Sequence, residues 1–406
     1  MLNQNFTGKS LLKLTTLRDI IRFKLGRKKT DYFERLDLAA KKITLEGCDF
    51  SDISSYKIKN KQIFKPNSLE SVYALRRVNK ILSRIYQVKQ TDRDTISKQI
   101  STLISDTSPY RIIKGDIKSF YESIPKTSAL YKIESNRILS YQNRNIIKQV
   151  FNCTAISATP GLPRGISISS SLSELYIREF DRHVRALDGV YYYARYVDDF
   201  IIFTHFNHDL ILSEIEQKLN SLDLKLNYKK IKKISSADLY QGKTFLSFLG
   251  YEHEAPVSGK TIIRISKNRI RKIKTRIALS FLDFAKNKNI YLLKLRIQFI
   301  TGNYLIKENS ENHSTGLMAG FYYNNKNLTD HQQIKSLDTY LMKLCRSKKG
   351  SIYRAIGAPD MRAACIATQG ISFDKGFNHR RAYEIAKSEF SLIKECWITE
   401  AHYEKN

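Results

Sequence analysis

With 406 residues the chain can bury a large core, most naturally as two or three packed subdomains. Its 69 Lys and Arg against 39 Asp and Glu give a formal charge of +30, spread along the chain, which points first to nucleic acid as partner and only weakly to a membrane surface. No apolar run approaches the roughly 18–20 residues that span a bilayer, and the isolated Cys48, Cys153, Cys345, Cys365 and Cys396 argue for a reducing cytoplasm and against a structural zinc site.

Residues 1–110 read as mainly helical. The basic N-terminus holds Leu11, Leu12, Leu14 and Leu17 but is broken by charges and followed by no small-residue cleavage site, so an amphipathic helix is expected and not a signal peptide. Leu69, Val72, Leu75, Val78, Leu82 and Ile85 recur at three- and four-residue steps, with Arg76, Arg77, Lys80 and Arg84 between them. Residues 111–124 switch to an apolar run ending in Asp116, a strand entering a helix. A helix is expected over 165–187, a hairpin over 190–203, a helix over 211–222 and a short strand over 245–251.

Beyond residue 262, Ile270, Ile273, Ile277, Phe281 and Phe284 form an apolar stripe flanked by Lys267, Arg269, Arg271, Lys272, Lys274 and Arg276. Two readings apply: a helix laid on a duplex backbone, with Lys267, Arg271 and Lys274 on phosphates, or a solvated amphipathic helix. The overall charge favours the first. Residues 307–315 are polar and Asn-rich, an exposed loop before a final helical section. His205 and His208 make a His-x-x-His with no third ligand nearby.

The chemistry centres on Tyr193-Ala-Arg-Tyr-Val-Asp-Asp-Phe-Ile-Ile-Phe, in which Asp198 and Asp199 interrupt an apolar and aromatic run. Burying unpaired carboxylates is costly. The pair makes sense at a hairpin tip that meets divalent cations, although an ordinary Asp-containing turn has the same local look. Upstream, Lys114-Gly-Asp-Ile-Lys-Ser-Phe-Tyr-Glu-Ser-Ile delivers Asp116 just before an aromatic pair. Between them, Thr159-Pro-Gly-Leu-Pro-Arg-Gly-Ile-Ser-Ile-Ser-Ser-Ser-Leu is a Gly/Pro-rich loop leading into a small-residue helix. Leu224-Lys-Leu-Asn-Tyr-Lys-Lys and Phe248-Leu-Gly-Tyr follow the hairpin.

In that order these segments resemble motifs A to E of the reverse transcriptase palm, over about residues 110–255. The resemblance implies an α+β right-hand polymerase: helical fingers over 1–110, an antiparallel-sheet palm over 111–255, and a basic helical thumb with a C-terminal extension over 256–406. It implies that Asp116 and Asp198, with the adjacent Ile117, bind two Mg2+ ions (Mn2+ being the alternative) roughly 3.5–4 Å apart, supported by Asp199. Tyr121 falls at the steric gate against a ribose 2′-hydroxyl, and no second Asp stands there, which favours DNA over RNA synthesis. Lys230 is the expected general acid for pyrophosphate, with Lys229 close behind. Arg164 and Gly165 of motif B, with Lys89 and Arg93 of the fingers, are the expected nucleotide contacts, and Phe248, Leu249, Gly250 and Tyr251 the primer grip.

Where many relatives have Gln after the motif B proline, this chain has Arg164 after Pro163. That departure resembles the bacterial "unknown group" of reverse transcriptases, which includes defence-associated enzymes; type 2 is the expected subtype. Such a resemblance implies a cytoplasmic bacterial enzyme in antiphage defence, copying a structured non-coding RNA into cDNA from dNTPs, with oligomeric state open. Two alternatives stay open: a protein-primed or untemplated DNA polymerase of the abortive-infection type, and a catalytically inactive RNA-binding scaffold.

Overall fold

The computed structural model describes residues 3–58, 61–88, 91–255, 260–306, 317–385 and 389–398. Lys89 and the polar loop expected at 307–315 lie outside them. The chain forms a mixed α+β structure that packs as two units, Met1–Asp92 with Ser108–Ser236, and Arg93–Thr107 with Ala237–Asn406. These divisions fall elsewhere than the boundaries at 110 and 255 drawn from sequence. The strands in chain order are β1 (Ser54–Ile58), β2 (Lys61–Lys65), β3 (Arg111–Asp116), β4 (Val190–Tyr196), β5 (Asp199–Thr204), β6 (Lys232–Ser235), β7 (Leu246–Phe248), β8 (Tyr251–Glu254), β9 (Ile262–Ile265), β10 (Asn303–Ile306), β11 (Leu317–Gly320) and β12 (Ala382–Tyr383).

The first unit is built around an antiparallel sheet of order β4-β5-β3-β6. In β5, Phe200, Ile201, Ile202 and Phe203 are all fully buried, so this strand is apolar on both faces and reads as a continuous run instead of an alternation. Helix Ser167–Ala186 packs on the sheet through Phe180, whose ring meets those of Tyr193 and Phe200 edge-on at 6.3 and 6.2 Å. Gly115 sits opposite Phe200, and a Cβ there would lie 2.2 Å from its ring. The glycine thus lets the aromatic ring close over β3 next to Asp116. Helix Leu69–Ile85 buries Val72, Leu75, Val78 and Leu82 as its periodicity requires, and joins the same core.

Two local expectations change. The N-terminal amphipathic helix is two short helices, Gly8–Leu12 and Leu17–Arg22, the second opening where Asp19 accepts from the Thr16 backbone N–H at 2.8 Å. The largely helical first hundred residues also contain the β1–β2 hairpin. Its register with the rest is set by a tertiary bond, Phe64 N–H to the Arg164 carbonyl at 2.8 Å, which no local periodicity announces.

The second unit has its own core, with Ile277, Phe281, Phe284, Leu293, Ile297, Leu337 and Phe373 buried. Helix Lys267–Asn287 supplies the first three of these. The single strand expected at 245–251 is a hairpin: β7 turns into β8 through Leu249 at φ 46° and Gly250 at φ 84°, the left-handed pair that a two-residue turn demands. The C-terminal section is not wholly helical either. β10 pairs antiparallel with β11 and parallel with β12, a partner far along the chain.

Candidate active site

Asp116 ends β3 directly opposite Asp199, the first residue of β5, so the two α-carbons are register partners on one sheet. Asp198 occupies the two-residue tip between β4 and β5, and its carbonyl accepts the Ile117 N–H at 3.0 Å. The sheet register therefore sets the backbone of Asp116 beside the adjacent pair Asp198 and Asp199, which lies far along the chain from it. Val197, the other tip residue, has φ 59°, a strained conformation for a β-branched residue that the surrounding pairing must enforce.

That enforcement comes from Arg195. Its buried guanidinium donates to Glu174 at 3.0 and 2.6 Å, to Asp181 at 2.8 and 2.9 Å, and to the Val197 carbonyl at 2.8 Å. The Tyr193 hydroxyl donates to Asp181 at 2.7 Å. Burial opposes the charge on Arg195, but Asp181 and Glu174 outweigh it and push the pKa up. The hairpin is thus riveted to helix Ser167–Ala186.

Asp116 is 4% exposed and accepts from Asn227 Nδ2 at 2.8 Å and from Lys230 Nζ at 2.6 Å. Asn227 N–H also donates to the Asp116 carbonyl at 2.8 Å. The bond to Asp116 raises the Lys230 pKa, so this lysine stays protonated. Asp199 is different: burial first, then the charges of Asp198 and Asp116, push its carboxyl up to about 6. A cluster of hard oxygen donors whose charges oppose one another is the donor chemistry that suits Mg2+ or Mn2+. Among the described residues no three Asp, Glu, His or Cys side chains stand gathered as a finished ligand set, and Asp116 faces Lys230 and Asn227 instead.

Tyr121 lies beside these carboxylates, as the second residue of the short helix Phe120–Ser123 entered through Ser119 at φ 48°. Burial raises the pKa of its hydroxyl. Arg164 lies over its ring at 4.9 Å. Arg164 also grips Glu122 through two nitrogens, one at 3.0 Å. Burial favours a neutral Glu122, yet the Arg164 bond overrides it and holds the carboxyl below its usual range. The motif B loop is pressed against these residues. A Cβ on Gly161 would fall 2.3 Å from the Glu122 carbonyl, and one on Gly165, at φ 90°, 2.3 Å from the Phe64 carbonyl.

The other expected site residues fall elsewhere. Arg93 belongs to the second unit, where its guanidinium lies 4.9 Å over the Tyr251 ring and donates to the Tyr251 hydroxyl at 3.1 Å. Phe248, Leu249, Gly250 and Tyr251 form the β7–β8 turn of that unit. Lys267 lies over the Phe245 ring and Lys274 over Tyr340, with Arg271 exposed. His205 and His208 bond to different carbonyls, those of Pro109 and Ile234. Sequence reasoning missed Asn227, Glu122 and the Arg195 rivet as parts of the site. A charged Arg195 inside a buried strand was the one available signal, since such a residue needs partners.

Residues 58–253 match the family model described as reverse transcriptase (RNA-dependent DNA polymerase). Comparison with curated proteins found no match. Among solved structures, apo telomerase from Candida tropicalis truncated from its C-terminal domain is similar at 12% identity and a TM-score of 0.37, over 61% of this chain and 50% of that one. The chain therefore spans about half the length of that structure. No described helix is long and apolar enough to cross a membrane. The family match covers the carboxylates, Tyr121, the motif B loop and Lys230 alike, and the chain carries a reverse transcriptase (RNA-dependent DNA polymerase) domain over residues 58–253.

Proposed function

We propose that this protein is a DNA-synthesising, RNA-templated polymerase of right-hand architecture, with fingers, palm and thumb drawn from 1–110, 111–255 and 256–406. The observation that carries the reading is the register of β3 on β5, which sets Asp116 against Asp199 with Asp198 at the adjoining tip. Reverse transcriptases generally use divalent metal ions. Asp116, Asp198 and Asp199, with Ile117 alongside, would hold such ions, which would supply charge neutralisation to an attacking 3′-hydroxyl and to the triphosphate.

The chain's own residues do the remaining work. Asp116 holds Lys230 protonated, which prepares that lysine to give a proton to the pyrophosphate oxygen as the P–O bond breaks. The Tyr121 ring, backed by Arg164, forms a wall that would crowd a sugar bearing a 2′-hydroxyl. Arg164 is engaged by Glu122, so its part is to hold that wall and, on release, to meet a phosphate. The +30 charge fits a stable complex with a structured non-coding RNA that serves as template for cDNA made from dNTPs. Pro163-Arg164 supports placement among the defence-associated bacterial enzymes, type 2 in particular.

The test is incorporation of labelled dNTP on an RNA template by the wild type and by Asp198→Ala/Asp199→Ala. Incorporation should fall by at least about 10²-fold while RNA binding persists. Undiminished incorporation would show that the carboxylates assigned here are the wrong ones.

A further inference from the structure

Helix Phe120–Ser123 carries Tyr121 and Glu122 side by side, and adjacent residues on a helix do not face each other. These two meet only through a third residue. Arg164, from the motif B loop, covers the Tyr121 ring with its guanidinium 4.9 Å from the ring centre. The same guanidinium donates from Nε to Oε1 of Glu122 and from Nη2 to Oε2, the second bond at 3.0 Å. One planar group thus lies over the ring while both oxygens of a single carboxylate hold it.

The rest of this arrangement is held without Glu122. The Tyr121 carbonyl accepts the Leu162 N–H at 2.8 Å, and a Cβ on Gly161 would lie 2.5 Å from that carbonyl. The Arg164 carbonyl accepts the Phe64 N–H at 2.8 Å. The buried Phe120 ring meets the Tyr121 ring edge-on, with centres 5.5 Å apart and 67° between the planes. What these contacts do not fix is the Arg164 side chain, a long flexible stem that is 23% exposed. Untethered, it would exchange among rotamers and give the ring no constant backing. The fork on Glu122 selects one plane for it. That bond pushes the Arg164 pKa up, and on Glu122 it overrides burial and pushes the pKa down, so the two stay charged together.

We propose that Glu122 is a specificity-determining positioning residue: it acts through Arg164 to keep the Tyr121 ring closed against a ribose 2′-hydroxyl, without itself touching the nucleotide. The inference rests on the reading of Tyr121 as the sugar wall and extends it to the residue that holds the wall in place. Sugar discrimination then belongs to three side chains in series, Glu122, Arg164 and Tyr121, and releasing the first loosens the last.

The experiment measures kcat and KM for addition of a single dNTP or rNTP by the full-length protein on a primed RNA template. Glu122→Ala should raise the ratio of ribonucleotide to deoxyribonucleotide kcat/KM by about fivefold or more, through a lower KM for the ribonucleotide. Arg164→Ala should do the same, and the two together no more than either, since both remove one support. Adding Glu122→Ala to Tyr121→Ala should leave the ratio where Tyr121→Ala alone puts it. Glu179→Ala, which breaks a pair with Lys132 elsewhere on the same unit, serves as the control. Should Glu122→Ala melt early, Glu122→Gln keeps the size and one acceptor and should move the ratio the same way by about twofold or more. An unchanged ratio, an equal loss with both nucleotides, a shift no larger than the control's, or a full further shift on top of Tyr121→Ala would overturn the inference. Failure of the reading beneath it looks different: a wild type that adds no dNTP on RNA, or a Tyr121→Ala ratio that does not move, either of which removes the inference with it.

Discussion

At the scale of single residues, the site is a set of charges made tolerable by their neighbours. Asp116 has Lys230 and Asn227, Arg164 has Glu122, and Arg195 has two carboxylates. Tyr121 is the residue whose role is most open to direct test. Its ring is covered by Arg164, so shortening it to Ala should open room for a 2′-hydroxyl. Tyr121→Ala is expected to raise ribonucleotide use relative to deoxyribonucleotide use by about tenfold or more, read as the ratio of kcat/KM values. An unchanged ratio would return Tyr121 to core packing. The carboxylates themselves were legible in sequence, because acidic residues inside apolar runs need a reason. Their partners were not: Asn227 and Glu122 look like ordinary loop and helix residues until folding sets them against Asp116 and Arg164.

A second residue yields a pH dependence. His253 in β8 is fully buried, has Ser97 Oγ 3.4 Å from Nε2, and has no partner at Nδ1. Burial pushes its pKa down from 6.5 to about 4. The folded protein therefore binds this proton less readily than the unfolded chain. The stability that depends on a neutral His253 is complete above about pH 6.5 and is lost as the pH falls towards about 4, by about 3 kcal/mol. Denaturant unfolding followed between those values should show this slope in the wild type and a flatter one in His253→Phe. Equal slopes would mean that the imidazole is not the group titrating.

At the scale of elements, the β4–β5 hairpin owes its position to a buried ion network more than to its own turn, which is strained at Val197. Removing one member leaves unpaired charges in a dry interior. Arg195→Gln should cost about 3–5 kcal/mol in equilibrium unfolding and lower polymerase activity along with it. A loss below about 1 kcal/mol would show that Glu174 and Asp181 find water instead. The hairpin was plain in sequence from its aromatic run. The β1–β2 hairpin was not, because what fixes it is a bond from Phe64 to the Arg164 carbonyl and the close approach of Gly165.

At the scale of the whole molecule, the two cores are made of distinct residues, and the division between them was the least legible feature. Helix Arg93–Ile104 shows a clear stripe of Ile96, Ile100 and Ile104, but a stripe does not say which unit it joins. The answer lies in long-range bonds, such as Asn327 Nδ2 to the Asp94 carbonyl at 2.8 Å and Thr261 Oγ1 to the Ser101 carbonyl at 2.8 Å. Charge, by contrast, was readable from composition, yet not its arrangement: the cation face on Arg269, Lys272 and Arg276 emerges only once the helix is rolled beside a cavity of the second unit.

The most direct test of the central claim is to replace Mg2+ with Fe2+ and map where peroxide-generated hydroxyl radicals cut the backbone. Radicals travel only a short way from the metal. A shared site on β3 and the β4–β5 tip predicts scission near residues 116 and 198 together, lost in Asp116→Asn/Asp198→Asn. Cuts confined to other segments, or unaffected by those substitutions, would contradict it.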